Sequence, residues 1–197
     1  MCLSSKKIIE HFQIARAETK FQRIDIYDVL DLEDVKSHEK SLSDLDSYEY
    51  KNQEFFEPDR IVYLDGVTQS SKNGLEPYHE ALVQPAMFAH PNPKKVGIIG
   101  GGECATLREA LKHKTVEKVK MIEIDEEMVQ VSREHLPSWS DCSDLEGSAD
   151  WCGNDERAEI YYGDALAWFN HRFSDTERID SPEFKEEPFD VLIMDAL

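Results

Sequence analysis

The sequence predicts an α/β protein, with a doubly wound parallel sheet preceded by a small β-strand domain. Three observations carry that prediction. The first 70 or so residues place apolar side chains in strand fashion, and the remainder alternates short β-rich runs with helical spacing. A glycine-rich turn, GIIGGGECA, then joins the first of those runs to the helix after it.

Three N-terminal stretches, KKIIEHFQIARAE, FQRIDIYDVL and RIVYLDGVTQS, read as strands, and Asp65-Gly66 supplies a tight turn within the last. Between the second and third, Asp31 to Pro58 is acidic and without a clear period, and reads as a long hairpin loop or insertion with a solvated surface. Residues 1–74 are therefore taken as an N-terminal β-hairpin domain and residues 75–197 as a second domain.

The second domain opens with PYHEALVQPAMFAH, a helical stretch with Pro77 in its first turn and the His90–Pro93 segment as its stop. Four β-rich runs follow: KVGIIG (95–100), VKMIEID (119–125), AEIYYGD (158–164) and FDVLIMD (189–195). Cys104, Leu107, Ala110 and Leu111 repeat at helical spacing, a second helix spans 126–136, and Leu166, Phe169 and Phe173 mark a third. Strands alternating with helices give right-handed crossovers and half of a Rossmann-like sheet of the methyltransferase type. Four strands with Leu197 just past the last do not finish such a sheet. The expectation is a C-terminal part missing from this chain, which would then be a fragment of a longer protein.

Charge narrows the ligand class. The 197 residues carry 41 acids against 22 bases, a net −19, which excludes non-specific binding to nucleic acid or an anionic membrane and favours a cationic small molecule. That charge is uneven: residues 25–59 sum to −9, residues 140–190 to −11, and the rest to +1. No apolar run is long enough to span a bilayer and the N-terminus lacks a signal-peptide core, so a soluble, cytoplasmic protein is expected. Cys2, Cys104, Cys142 and Cys152 are accordingly expected as free thiols. The nine residues between Cys142 and Cys152, with no flanking His pair, suit zinc poorly. Trp139 and Trp151 flank this acidic segment, which reads as a surface excursion anchored by the two indoles.

The site is expected at the carboxyl ends of the parallel strands, where ligands of such sheets bind. Gly100, Gly102 and Ala105 fit G-x-G-x-x-A in the first strand-to-helix turn, letting the backbone approach a ligand. Glu123, closing the second strand 23 residues after Gly100, is placed to accept hydrogen bonds from both hydroxyls of a ribose. Asp164 and Asp195 end the third and fourth strands, and Glu103 joins them on the same edge. Four carboxylates repel a diphosphate, which disfavours NAD, and suit a ribonucleoside carrying a sulfonium or an amine.

These residues, together with YLDGVTQ, PYHEALV, AHPNPKKV and LKHKTVEKV, strongly resemble the polyamine aminopropyltransferases, the spermidine, spermine and thermospermine synthases. The similarity covers about residues 15–30 and 60–136 and resumes over 158–169 and 188–197. It implies a β-strand domain before a Rossmann-like catalytic domain. The implied reaction moves an aminopropyl group from decarboxylated S-adenosylmethionine, a co-substrate, to an amine, releases methylthioadenosine, and uses no metal or other cofactor. It also implies a homodimer or homotetramer assembled through the N-terminal strands.

Matched position by position, Gln22 stands for the glutamine that contacts the donor, although Phe21 replaces a usual tyrosine, and Glu123 for the ribose-binding glutamate. Asp164 with Ala165 stands for the Asp-Gly pair at the adenine. Gln69, Tyr78 and His79 match residues of the amine pocket. Glu103 occupies a donor- and amine-binding position where spermidine synthases usually carry Asp and thermospermine synthase-like members Glu. Cys104 replaces a glycine. Asp195 matches the catalytic aspartate that begins D-x-x-D-P, and Asp-Pro is expected to follow Leu197.

The chemistry of the residues agrees with that reading. An alkyl sulfonium is already a good electrophile, so the difficulty lies in the nucleophile, a primary amine protonated at neutral pH. Asp195 is the candidate general base. Two other readings share the sequence: a methyltransferase using intact S-adenosylmethionine, and an inactive homologue serving as a regulatory subunit.

Overall fold

The computed structural model describes residues 9–31, 58–145, 150–174 and 188–196. The acidic stretch expected as a loop or insertion falls almost wholly on 32–57, outside the described residues, as do Cys2 and the start of the first predicted strand. The chain divides into two compact units, one of residues 1–18 and 22–74, the other of 19–21 and 75–197.

The N-terminal unit is a four-stranded antiparallel meander of β1 (Ile9–Glu18), β2 (Arg23–Asp31), β3 (Asp59–Leu64) and β4 (Val67–Ser71), in that spatial order. Ile24 and Ile26 on β2, with Val62 opposite Ile26 on β3, are fully buried, as two-residue alternation requires. Asp65 and Gly66, both at positive φ, form the β3–β4 turn, and the Asp65 carboxylate accepts from the Arg23 N–H at 2.9 Å. Asp25, buried between Ile24 and Ile26, is held by Arg16 and by Arg23 at 2.9 Å, and Asp28 by a two-pronged Arg60 contact at 2.7 and 2.8 Å.

The second unit is a mixed α/β layer structure around a four-stranded parallel sheet. Its strands are β5 (Lys95–Gly100), β6 (Lys118–Glu123), β7 (Ala158–Tyr162) and β8 (Val191–Asp195), in the order β7-β6-β5-β8. All three pairings are parallel, with β5 between β6 and β8. Helix α1 (Leu75–Ala89) carries Pro77 in its first turn and buries His79, Val83 and Met87, one per turn, against α2 (Ala105–Leu111) and β8. Val83 and Met87 join Val96, Ile98, Leu107, Ala110, Met121 and Ile193 in the main core.

Helix α3 (Glu126–His135) is capped by Asp125, whose carboxylate accepts from the Met128 N–H at 3.2 Å. The third predicted helix is shorter than its apolar spacing suggests: α4 spans Ala165–Phe169 and continues as one π turn, Asn170–Ser174. Around it, Trp168 packs edge-on against Phe169 and Phe173, and Phe169 stacks on Phe173.

Two cysteine expectations are corrected. Cys142 and Cys152 are not free thiols but form a disulfide, with Cα atoms 5.1 Å apart, and both are fully buried in the main core. The segment they close is thus more than a surface excursion. Trp139 is buried, and α2 and α3 each grip the segment: Arg108 donates to the Asp141 carbonyl at 2.6 Å and pairs with Asp144 at 3.0 Å, while Arg133 lies 4.4 Å from the Trp151 ring centre. In a chain-entropy account a bridge closing so short a loop stabilises by about 2 to 3 kcal/mol.

Candidate functional site

Backbone geometry builds the site first. Gly100 ends β5 at φ +81°, and a Cβ there would lie 2.2 Å from the Asp195 carbonyl oxygen, so glycine alone fits. The chain then turns through Gly101, whose N–H donates to that same carbonyl at 3.1 Å while its own carbonyl accepts from Cys104 N–H at 2.7 Å. At Gly102 a Cβ would meet the Met128 side chain at 2.6 Å and Glu123 Oε2 at 3.4 Å, which ties the turn to the end of β6. Cys104, where the resemblance expects glycine, adopts the left-handed conformation at φ 62° and starts α2.

Three carboxylates meet around this turn. Asp195 Oδ2 accepts from the Thr106 hydroxyl at 2.5 Å, across 89 positions of sequence. Glu123 is buried; its Oε1 accepts from the Asp125 N–H at 2.8 Å, and its backbone carbonyl accepts from Gly163 N–H at 2.8 Å, which sets Asp164 beside the end of β6. Burial pushes the Glu123 carboxyl above the ordinary carboxylate range; the backbone N–H groups of Asp125 and Ile124 counter it in part, and the charges of Asp125 and Asp195 add to the rise. Burial also raises the Tyr78 phenol, helped by the charges of Asp195 and Glu103, so the exposed Tyr78 ring shares its field with both. The Cys104 thiol, buried and facing Glu123 and Glu103, is pushed up to about 12 and is no thiolate at neutral pH.

The remaining sequence-predicted residues fall in two groups. Asp164 is exposed and caps α4, its Oδ1 accepting from Ala167 N–H at 2.9 Å, and Ala165 is the first residue of that helix. His79 is buried under Tyr78, ring centres 4.9 Å apart, and its Nδ1–H donates to the Leu75 carbonyl at 2.8 Å. Gln22 precedes β2 and Gln69 lies on β4, both in the N-terminal unit. Sequence reasoning missed Thr106 and Asp125. Asp125, nearly inaccessible, both caps α3 and accepts from the Thr19 hydroxyl at 2.7 Å; its place one residue before an acidic first turn was the available signal.

An edge of this kind offers hydrogen-bond acceptors at Glu123 and negative charge at Glu103 and Asp195. Comparison with known proteins places the chain in a family. The family model for the spermine/spermidine synthase domain matches residues 75–196. The chain is 45% identical over 136 residues to polyamine aminopropyltransferase 1 of Hyperthermus butylicus, covering 69% of this chain and 40% of that protein. Against the polyamine aminopropyltransferase of Aeropyrum pernix it is 46% identical over 138 residues, covering 70% of this chain and 37% of that protein. The crystal structure of spermidine synthase from Thermotoga maritima superimposes with a TM-score of 0.65 at 31% identity, over 94% of this chain and 48% of that one. A spermidine synthase in complex with the transition-state analogue AdoDATO matches equally, at TM-score 0.65 and 31% identity, over 94% of this chain and 46% of that one. This chain thus spans less than half the length of these relatives.

Proposed function

The chain belongs to the spermine/spermidine synthase family, and from that premise we propose that it carries the donor site and the proton acceptor of an aminopropyltransferase. The donor is decarboxylated S-adenosylmethionine, the acceptor putrescine or spermidine, and the product besides the longer polyamine is methylthioadenosine. The acceptor nitrogen attacks the aminopropyl methylene next to sulfur. Asp195 takes one proton from the acceptor's ammonium, the freed nitrogen forms the new C–N bond as the C–S bond breaks, the bonding pair leaves on sulfur as a neutral thioether, and the product nitrogen remains a secondary ammonium.

The nucleophile sets the demand on the site. A primary amine with an ordinary pKa of about 10.4 costs about 5 kcal/mol to deprotonate at neutral pH. Asp195 accepts that proton while the adjacent sulfonium makes the nitrogen more acidic. Glu123 takes the ribose hydroxyls and Glu103 an ammonium of the donor or acceptor; Tyr78 and His79 line the amine side, and Asp164 and Ala165 contact the nucleoside. No metal or organic cofactor enters these steps, and the assembly is a homodimer or homotetramer.

The observation that carries the reading is the carboxylate edge, where Glu103, Glu123 and Asp195 face one turn with neutral hydrogen-bond donors as partners for the last two. Titration calorimetry of the full-length protein with decarboxylated and intact S-adenosylmethionine tests it. The decarboxylated donor should bind more tightly because Glu103 repels the extra carboxylate. Preference for the intact donor would indicate a methyltransferase. Absence of methylthioadenosine release with every amine, despite donor binding, would indicate an inactive homologue. Product analysis with putrescine and spermidine in turn identifies the acceptor.

A further inference from the structure

We propose that Thr106 is a positioning residue that holds the Asp195 carboxylate for proton transfer, a role that rests on the reading of Asp195 given above. Thr106 is the second residue of α2 and is fully buried. At the second residue of a helix the hydroxyl has no preceding helical turn to return to. Thr106 donates to Asp195 Oδ2 at 2.5 Å, in a different element of the sheet edge. Together with the Gly101 N–H on the Asp195 carbonyl at 3.1 Å, the glycine turn grips the backbone of Asp195 and the start of α2 its side chain.

The chemistry of the grip matters as much as its geometry. Arginines hold Asp25 and Asp28 in the N-terminal sheet, and a guanidinium would orient Asp195 as firmly. It would also cancel the negative charge that draws a cationic amine. A hydroxyl fixes one oxygen and leaves the net charge intact, so Oδ1 remains to receive the proton. A carboxylate free to rotate loses alignment with the attacking nitrogen, a cost paid in turnover and not in donor binding.

The experiment compares Thr106→Val, which keeps the shape and removes the hydroxyl, with Thr106→Ser, which keeps the hydroxyl, in the full-length protein. Thr106→Val should lower kcat about tenfold or more and leave methylthioadenosine affinity within about twofold, and Thr106→Ser should recover most of the lost turnover. Calorimetric binding of methylthioadenosine shows that each variant is folded; if Thr106→Val fails that check, Thr106→Ala takes its place in the comparison. Unchanged kcat in the variant lacking the hydroxyl, or a serine variant as slow as it, overturns the proposal. Asp195→Asn, measured alongside, separates the two readings. If it leaves turnover intact, Asp195 is not the proton acceptor and the functional reading falls; if it abolishes turnover while Thr106→Val does nothing, only the positioning role falls.

Discussion

Buried carboxylates in the two sheets meet opposite surroundings. On β2, burial pushes the Asp25 carboxyl up, but hydrogen bonds from Arg16 and Arg23 outweigh it and hold the group below the ordinary carboxylate range. At the end of β6, Glu123 is buried to a similar degree and meets backbone N–H groups and two more carboxylates; among the described residues no guanidinium or ammonium contributes to its shift. The first arrangement completes its charge balance within the protein, and that is what structural carboxylates do. The second has backbone N–H groups for partners, and its countercharge is the part the proposed ligand would supply. Net charge cannot tell these apart, since both groups count equally toward −19.

The largest effect should come from the backbone that makes the second arrangement possible. Gly100→Ala forces a Cβ into the Asp195 carbonyl at a left-handed φ and should cost about 4 kcal/mol or more, read from urea unfolding. A loss below about 1 kcal/mol would mean that β5 and β8 do not meet as described.

Next comes the chemistry. In the full-length protein Asp195→Asn should lower kcat about a thousandfold with methylthioadenosine binding retained, whereas Asp25→Asn, equally conservative, should leave kcat unchanged. Comparable losses in both would erase the distinction between the two sheets.

Glu123 sharpens it through pH. Its carboxyl is raised, so its ionisation disfavours the folded state as pH rises from the ordinary range through the raised value. Ribose hydroxyls donate to the ionised form, so methylthioadenosine affinity should fall as pH drops through that same raised value. Glu123→Gln should bind about ten- to a hundredfold more weakly at neutral pH and show a flat pH dependence. Calorimetry at several pH values checks both.

The smallest effect belongs to Asp25. Its lowered pKa stabilises the fold above the ordinary Asp value of about 3.9, and that stability is lost as pH falls through the lowered folded value. Asp25→Asn should lower the melting temperature by a few degrees at neutral pH, and the gap should close in acid. A constant gap across pH would assign the effect to packing.

The parallel sheet was legible because its two central strands are buried along most of their length and so read as mostly apolar runs, KVGIIG and VKMIEID. The carboxyl ends of VKMIEID and FDVLIMD named Glu123 and Asp195 directly. Gly100 was legible for the same local reason. Gln22 and Gln69 came through resemblance alone, since no spacing singles them out. Thr106 was not legible, because its partner lies 89 positions away and a threonine at the start of a helix has ordinary local uses. The disulfide was hidden by a different blindness: the absence of a CxxC pair, a core large enough to need no staple and the expected compartment all argued for thiols, and only the chain path of the segment brings Cys142 and Cys152 together.

The position of β8 has a kinetic side. β5 finds β6 and β6 finds β7 across modest stretches of chain, but the β5–β8 pairing, Val96 with Val191, closes the longest loop of the sheet. Such contacts carry the greatest closure entropy and form late. Asp195 enters the glycine turn with that strand, so the Gly101 N–H contact to its carbonyl and the Thr106 hydroxyl contact to its carboxylate form only once β8 has docked.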